Sequence, residues 1–457
     1  MILPGIIVAF LLPVGVMMVG WGGLPPEQSR RAASAGLLTL AVSVVAYVAV
    51  GFAFQFGGIW HVTRLDTLQA LDQVWSLPDS TGGAWNVIGL SGFMLAGALG
   101  PDGLVLFLHQ LPLVMTATLI PMLALAGRVN NLVLALTGLT VASVVFPLTG
   151  HWVWSGGWLA ALGENLRLGH GYVDLAGAGP VYLVGGLLAL VGLSVFAGQR
   201  SFSAEAPRLP EAHLPLLAVA GGILFGLGWM AWAATDPFHP ASASLNLPLA
   251  MVNGLLAASA ATLVTQLYSW AVTSHVDPLM ATRGWLAGWV VVSATAPFSA
   301  TWSALSLGVL AGIAVPLVMY VVDRVLRLDD VVAAVSVYGV PGLLGALAVG
   351  IVADGQWGAG WNGIGAKEYL AVMGQGVTGR MAASELVADP GQLTAQLAGV
   401  GAIMAFTFLV GGGVMLVAHL AARAWHRAGQ RMTNIRITAS HVEPKEGEGR
   451  VTKDEGG

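Results

Sequence analysis

Two aspartate–tyrosine pairs with the same spacing stand inside apolar stretches of the sequence. Tyr182 comes eight residues after Asp174, and Tyr338 comes eight residues after Asp330. A phenol titrates at about 10, so at neutral pH it donates and accepts hydrogen bonds but is a very poor proton acceptor. Two facing phenols could therefore bind each other, or a small polar solute, without taking its proton. Alternatively, each ring packs between helices and its hydroxyl bonds a backbone carbonyl.

The residues around the two pairs are also alike. The first stretch is D-L-A-G-A-G-P-V-Y-L-V-G-G-L-L from Asp174, and the second is D-V-V-A-A-V-S-V-Y-G-V-P-G-L-L from Asp330. Such an internal echo is typical of membrane proteins built from two related halves, whose matched positions meet near the bilayer midplane. We therefore expect Tyr182 and Tyr338 to line a passage for a solute.

Composition indicates an all-α integral membrane protein. The chain is 56% hydrophobic and 9% charged, whereas a soluble domain carries about 25% charged residues. Many windows of roughly 20 residues are almost free of charge, which is enough to cross the hydrocarbon as a helix. These windows are continuous rather than alternating, which favours helices over a barrel. The 62 glycines allow helix backbones to approach closely in lipid.

Several classes of function are excluded or disfavoured. The chain has no cysteine, so disulfides and thiolate metal sites are excluded. The histidines lack metal-ligand spacing, and the sequence contains no zinc-protease motif, phosphate loop, dinucleotide fingerprint or triad-like motif. We expect no enzyme activity, cofactor, metal site or nucleic-acid partner.

Eleven apolar stretches predict membrane-spanning helices. The predicted spans are at about 2–22, 35–56, 103–126, 131–148, 174–197, 214–235, 247–272, 284–295, 303–322, 331–353 and 393–422. The eighth is cut short by Pro297 and could begin before Arg283. The run from Met1 has neither a basic segment nor a clear cleavage site, so we expect a retained span rather than a signal peptide.

Charge alternates between the connections. Basic residues mark every second connection and the tail: Arg30, Arg31, Arg128, Arg200, Arg208, Arg283, Arg324, Arg327, Arg423, Arg427, Arg431 and Arg436. The other connections carry acidic residues: Asp66, Asp72, Asp79, Glu164, Asp236, Asp354, Glu368 and Asp389. The positive-inside rule then places the N-terminus outside and the C-terminus in the cytoplasm, across the plasma (inner) membrane.

Five helices per half invert the second half relative to the first, which predicts a five-plus-five inverted repeat. The eleventh helix is longer than needed and is expected to lie tilted across the outside of the bundle. We assign 1–431 to a transmembrane channel domain and 432–457 to a polar cytoplasmic tail, which we expect to be disordered.

Four motifs resemble the ammonium transporter (Amt/Mep/Rh) family, in the right order and spacing. They are L-L-P-V-G-V-M-M-V-G-W-G-G-L from Leu11, H-W-V-W-S-G-G-W-L from His151 and the two tyrosine stretches. The resemblance extends to about Arg431. It implies an eleven-helix protomer with a pseudo-twofold axis, assembled as a homotrimer with one pore per protomer. The tail departs from the family's acidic C-terminal pattern, so a cytosolic regulatory partner stays an open question.

The resemblance also implies roles for single residues. Where family members line the midplane with two facing histidines, this chain has Tyr182 and Tyr338. The two phenylalanines of the family's outer gate correspond to Leu113 and Trp232. Because phenols do not relay protons as imidazoles do, a histidine-based proton relay should be impaired.

The outer recruitment site of the family is partly retained. Its tryptophan corresponds to Trp154 and the aspartate behind it to Asp174, while Asp236 stands in place of a serine. An anionic mouth concentrates cations, and an indole face attracts them by roughly 0.5–2 kcal/mol. The alternatives are an exposed loop acid for Asp236, an interfacial belt residue for Trp154 and a helix cap for Asp174. His109 and Gln110 are further polar residues within a span; we expect His109 to be packed and hydrogen-bonded.

Three functions follow as hypotheses. The first is a passive or weakly coupled channel for ammonium or ammonia with an altered midplane. The second is a channel for another small polar solute, which the phenol pair would guide. The third is a non-conducting membrane sensor or scaffold that binds ammonium at its mouth.

Overall fold

A computed structural model describes residues 2–78, 85–196, 212–235, 244–421 and 423–424. Two of the predicted features, the acid Asp236 at the entrance and the polar tail at 432–457, lie outside these residues.

Eleven long helices make up most of the described chain. They are α1 Ile2–Gly23, α2 Pro26–Phe56, α3 Pro101–Leu125, α4 Asn131–Trp154, α5 Ala178–Phe196, α6 Pro215–Ala233, α7 Leu247–Thr273, α8 Pro278–Val292, α9 Thr301–Val325, α10 Val335–Val352 and α11 Pro390–Ala421. Ten of these are long and apolar enough to cross a membrane. The eleventh, α8, has 15 residues and lies where the shortest span was predicted. The all-α membrane fold is therefore confirmed.

Local sequence explains where several helices begin. Asn130, Asn246, Asp277 and Asp389 each accept a hydrogen bond from a backbone amide in the first turn of α4, α7, α8 and α11. Such side chains satisfy amides that have no partner within the helix. Proline occupies the start of α8 and α11, where its missing amide costs nothing.

The prediction for Arg283 was wrong in one respect. The charge pattern placed this residue in a connection, but it lies inside α8 and is only 2% exposed. Its guanidinium donates to the Val331 carbonyl at 2.8 Å and faces the sulfur atoms of Met280 and Met319 at 3.7 and 3.8 Å. Because these partners satisfy a buried cation, α8 continues through Arg283 and begins at Pro278.

Helix packing follows the predicted inverted repeat. Helix α5 packs on α3 in the first half, and α10 packs on α8 in the second. Likewise α2 packs on α4, and α7 packs on α9. Helices α1 and α6, the first of each half, pack along each other. Helix α11 packs against α10 and extends the bundle.

Three long connections cover one end of the bundle, which we call the loop-rich face: 57–100, of which 57–78 and 85–100 are described, 155–177 and 353–389. Short elements within them are the helices Trp60–Thr63 and Leu162–Leu166, single turns at Asp66–Leu68, Phe93–Leu95 and Trp361–Gly363, and the antiparallel strand pairs Val74–Ser76 with Asn86–Gly89 and Glu368–Tyr369 with Val372–Met373. The connections contact one another, because the Trp158 amide donates to the Asn86 carbonyl and the Asn362 side chain donates to the His170 carbonyl.

Candidate substrate pathway

The two tyrosines face each other in the interior of the bundle. The rings of Tyr182 and Tyr338 are nearly parallel, with 6.3 Å between centroids and 14° between planes. Their exposed fractions are 0% and 4%, so neither ring is turned toward lipid. The sequence echo thus predicted a real contact between the halves.

Matching caps orient the helices that carry these rings. The Asp174 carboxylate accepts hydrogen bonds from the amides of Gly177, Ala178 and Gly179 at 2.8–2.9 Å. The Asp330 carboxylate accepts from the amides of Ala334 and Val335 at 3.0 and 2.9 Å. Each aspartate therefore satisfies the first amides of its own helix, α5 or α10. Tyr182 and Tyr338 follow within the first wide turns of these helices.

Close packing of α5 against α10 brings the rings together. A side chain at Gly186 would overlap the Cα atom of Gly339, and one at Gly342 would lie 2.6 Å from the Ala178 carbonyl oxygen. Both approaches are far closer than van der Waals contact, so only glycine allows the backbones to pack in this way. Gly186 and Gly342 each come four residues after a tyrosine, at matched places in the two halves.

The hydroxyl of Tyr182 is buried and has no hydrogen-bond partner among the described residues. Ser293 lies near it; the Ser293 hydroxyl donates to the Trp289 carbonyl and accepts from the Trp229 indole, which leaves one of its two acceptor lone pairs unused. A buried polar group without a partner costs about 1–3 kcal/mol and calls for an explanation. This hydroxyl is thus a spare hydrogen-bonding group at the centre of the bundle.

Aromatic side chains continue along α6 from the tyrosine pair toward the loop-rich face. Phe225 lies 6.1 Å from the Tyr182 ring, between centroids, and is followed by Trp229 and Trp232 on the same side of the helix. All three are at most 2% exposed. Seven residues of helix separate Phe225 from Trp232, which corresponds to about 10 Å. The stripe therefore connects the level of the tyrosine pair with the level of the predicted gate.

Trp232 stacks on a histidine at the far end of this stripe. The rings of His109 and Trp232 are 4.6 Å apart and inclined by 24°. The Trp232 indole donates to the His109 carbonyl at 2.9 Å, and the imidazole Nε2 lies 3.2 Å from the Trp232 carbonyl oxygen. Leu113, the other predicted gate residue, is fully buried one turn further along α3. His109 is packed and hydrogen-bonded as expected, but its role as the ring partner of Trp232 was not predicted.

Trp154 and Asp174 form a direct pair beside the start of α5. The Trp154 indole donates to the Asp174 carbonyl oxygen at 2.7 Å. Trp154 is the last residue of α4, at the loop-rich face, and is partly exposed. Asp174 is fully buried, and its carboxylate is turned to the backbone amides of α5. Asp174 thus acts as the helix cap that the sequence offered as one alternative, and it supports Trp154 through its carbonyl.

The described residues contain no group of three or more side chains that could hold a metal ion. The two tyrosines, Trp232 and the Trp154–Asp174 pair all come from residues that the sequence singled out. Two contributors, His109 as a ring partner and Ser293 beside Tyr182, depend on contacts between distant helices, for which the sequence carries no local signal.

Comparison with known proteins agrees with this architecture. The profile of the Ammonium Transporter Family matches residues 1–427. Ammonium transporter Amt2 of Archaeoglobus fulgidus is 28% identical over 359 residues, which cover 78% of this chain and 71% of the relative. Ammonium transporter Amt1 of Haloferax mediterranei is 30% identical over 259 residues, which cover 54% of this chain and half of the relative.

Solved structures share the fold. A structure described as a sensor Amt protein has a TM-score of 0.70 at 22% identity, covering 93% of this chain and 92% of its own. The crystal structure of Candida albicans Mep2 has a TM-score of 0.68 at 20% identity, covering 90% of this chain and 83% of its own. Since the family profile spans nearly the whole length, from the first helix to the end of the eleventh, the chain is a member of the ammonium transporter family.

Proposed function

We propose that this protein conducts ammonium or ammonia through the centre of each protomer, past two phenols in place of a proton-relaying pair. The observation that carries the proposal is the Tyr182 hydroxyl, which is buried, lacks a partner among the described residues and faces Tyr338. Such a hydroxyl can donate a hydrogen bond to the lone pair of ammonia and accept one from its N–H groups. The phenols would thus guide the solute without taking its proton.

The caps of α5 and α10 support a cationic or neutral solute over an anion. The N-terminal end of a helix carries a partial positive charge that attracts anions. At both central helices an aspartate carboxylate already occupies that position. Trp154 and Trp232 supply aromatic faces nearer the loop-rich face, where a small cation would be attracted before it reaches the tyrosines.

The proposal includes the family's homotrimer and an orientation with the loop-rich face outside and the C-terminus in the cytoplasm. The native chain has no cysteine, so single cysteines can report the orientation. A cysteine introduced at exposed Asp72 should react with an impermeant reagent from outside intact cells, and one at exposed Ser274 should not. The opposite pattern would show that the orientation is reversed.

Native mass spectrometry would test the homotrimer, and a monomer as the sole species would exclude it.

Transport in proteoliposomes tests the role of the tyrosines. We expect an ammonium gradient to change the internal pH of vesicles that hold the native protein. The Tyr182→His, Tyr338→His double variant should conduct ammonium about ten-fold faster or more, because imidazoles can accept and pass on a proton. The matched Tyr182→Phe, Tyr338→Phe variant keeps the rings but loses the hydroxyls, and should be slower than native.

Two results would count against the proposal. A pH change with the native protein no greater than in empty vesicles would rule out conduction. Equal rates for the native protein and both double variants would show that the phenols do not control passage.

A non-conducting ammonium sensor is the second candidate. It is favoured by the near-parallel tyrosine rings, which are both buried between α5 and α10. The solved structure described as a sensor Amt protein shares the fold. Saturable binding of ammonium by native protein in detergent, together with vesicles no more permeable than empty ones, would favour the sensor. Conduction would rule out a purely sensory role.

A further inference from the structure

Two glutamines of α11 are buried at the loop-rich end of the bundle. Gln392 and Gln396 lie one turn apart, and both are 0% exposed. Their side chains bond the backbone of one short stretch, 170–173. Gln392 accepts from the His170 amide and donates to the Gly171 carbonyl, each at 2.8 Å. Gln396 accepts from the Val173 amide at 2.8 Å and donates to the Val173 carbonyl at 2.9 Å.

The Gln396 side chain also reaches the other half of the molecule. Its amide nitrogen donates to the carbonyl of Ala346, in the middle of α10, at 2.6 Å. Gln396 therefore joins the residue before Asp174 to the helix that carries Tyr338. Burying a primary amide is favourable only when its polar atoms are bonded, and here both the oxygen and the nitrogen of Gln396 are.

The stretch held by Gln396 leads directly into the Trp154–Asp174 pair. Val173 precedes Asp174, whose carbonyl accepts the Trp154 indole and whose carboxylate caps α5. Both peptide groups of Val173 are fixed by one side chain, so the orientation of the following Asp174 carbonyl depends on Gln396. Residues that hold a binding group in place commonly matter nearly as much as the group itself.

We infer that Gln396 is a positioning residue that sets the Trp154 indole for ammonium and links this site to α10. The inference rests on the proposed function, since it assigns Gln396 a role in ammonium recognition at Trp154. Gln396 is buried behind this stretch and acts on the solute only indirectly. Its effect on Trp154 passes through Val173 and Asp174.

A double-mutant cycle between Gln396 and Trp154 tests the role. Gln396→Met keeps the length of the side chain but removes its hydrogen bonds. We expect it to raise the half-saturating ammonium concentration about five-fold while the maximal rate changes less, because residues of one hydrogen-bond network couple energetically. In a Trp154→Leu background the same substitution should have no further effect on half-saturation. Gln356→Met, at an exposed position of the loop-rich face, is the matched control and should behave as native.

The outcomes separate this inference from the proposed function. The native protein is expected to give a saturable response. If Gln396→Met then raised the half-saturating ammonium concentration by the same factor with Trp154 and with Trp154→Leu, Gln396 would have a general structural role. That result would overturn the positioning role. A native response no greater than that of empty vesicles would overturn the proposed function and this role with it, and a native response that does not saturate would overturn this role alone.

Amide hydrogen exchange gives a second measurement that does not depend on transport. The Val173 amide donates to Gln396, so Gln396→Met should accelerate exchange in peptides covering 170–176. Gln356→Met should leave those peptides unchanged. Unaltered exchange in Gln396→Met would show that this side chain does not hold the stretch, and would contradict the inference.

Discussion

Single residues decide what this protein can do with its substrate. A phenol and an imidazole both form hydrogen bonds, but only the imidazole titrates near neutral pH. With Tyr182 and Tyr338 facing each other at 6.3 Å between centroids, the centre of the bundle offers hydrogen bonding without ready proton transfer. The chemistry at this point therefore differs from that of a histidine pair even though the fold is shared.

The outer end of the aromatic stripe should be closed by His109 and Trp232. Their rings stack at 4.6 Å between centroids, so we expect His109→Ala to remove one wall. Ammonium-dependent pH change in proteoliposomes should then accelerate about three-fold, as for a barrier lowered by about 0.6 kcal/mol. Leu113→Ala, also buried on α3, is the matched control and should have the smaller effect. A larger effect of Leu113→Ala would identify Leu113 as the residue that closes the path.

Sequence alone predicted the tyrosine pair but not the His109–Trp232 pair. Tyr182 and Tyr338 stand in two stretches that echo each other, and an internal repeat implies that matched positions meet. His109 has no such counterpart. Its contact with Trp232 joins α3 to α6 across more than a hundred residues and depends on how those helices pack, which no local pattern encodes.

At the scale of helices, the caps at Asp174 and Asp330 differ in their surroundings. Two arginines lie near Asp330, Arg283 from the second half and Arg128 from the first, and Arg128 also bonds Asp329 at 3.2 Å. Among the described residues, the hydrogen-bond partners of the Asp174 carboxylate are three backbone amides. The inverted repeat has therefore kept the capping geometry of both central helices while the charge around the two caps has diverged.

Removing the first cap should destabilise the protein strongly. Asp174→Ala leaves the amides of Gly177, Ala178 and Gly179 buried without an acceptor, at about 1–3 kcal/mol for each. The thermal midpoint in detergent should therefore fall sharply. Asp174→Asn keeps one acceptor oxygen and should lie between Asp174→Ala and the native protein. Asp72→Ala, at an exposed acid, should match the native midpoint, and an equally small change for Asp174→Ala would contradict the capping role.

Helix boundaries show where the sequence pattern is incomplete. The apolar stretches predicted all eleven helices. The predicted start of α8, at about 284, was too late because Arg283 interrupts the apolar run of this helix. The signal that could have found its start is Asp277–Pro278, a cap followed by proline at the first position. The reason why α8 tolerates Arg283 lies elsewhere in the chain, in the carbonyl of Val331.

At the scale of the whole molecule, connections from both halves meet at the loop-rich face. His170 in 155–177 is fully buried, and its ring contacts that of Tyr369 in 353–389 at 5.1 Å between centroids. Burial lowers the pKa of His170 to about 3, and the nearby Gln375 backbone offsets part of this effect. The folded protein therefore holds His170 neutral at a pH where the unfolded chain binds a proton.

This difference predicts a loss of stability in acid. The unfolded imidazole titrates at 6.5 and the folded one at about 3, so the contribution of His170 is complete above pH 6.5. It declines as the pH falls toward 3, because the unfolded chain then binds the additional proton. Between pH 7.5 and 5 the free energy of unfolding should decrease by about 2 kcal/mol from this group.

The thermal midpoint in detergent at pH 7.5 and at pH 5 measures this contribution. His170→Gln removes the titrating group but retains a hydrogen-bond donor, so its midpoint should fall less between the two pH values than the native midpoint does. His61→Gln, at an exposed histidine of the same face, should keep the native dependence. If native protein and His170→Gln lost the same stability in acid, the junction of the two connections would not be the acid-sensitive part of the fold. The carboxylates of the caps would then be the next groups to test.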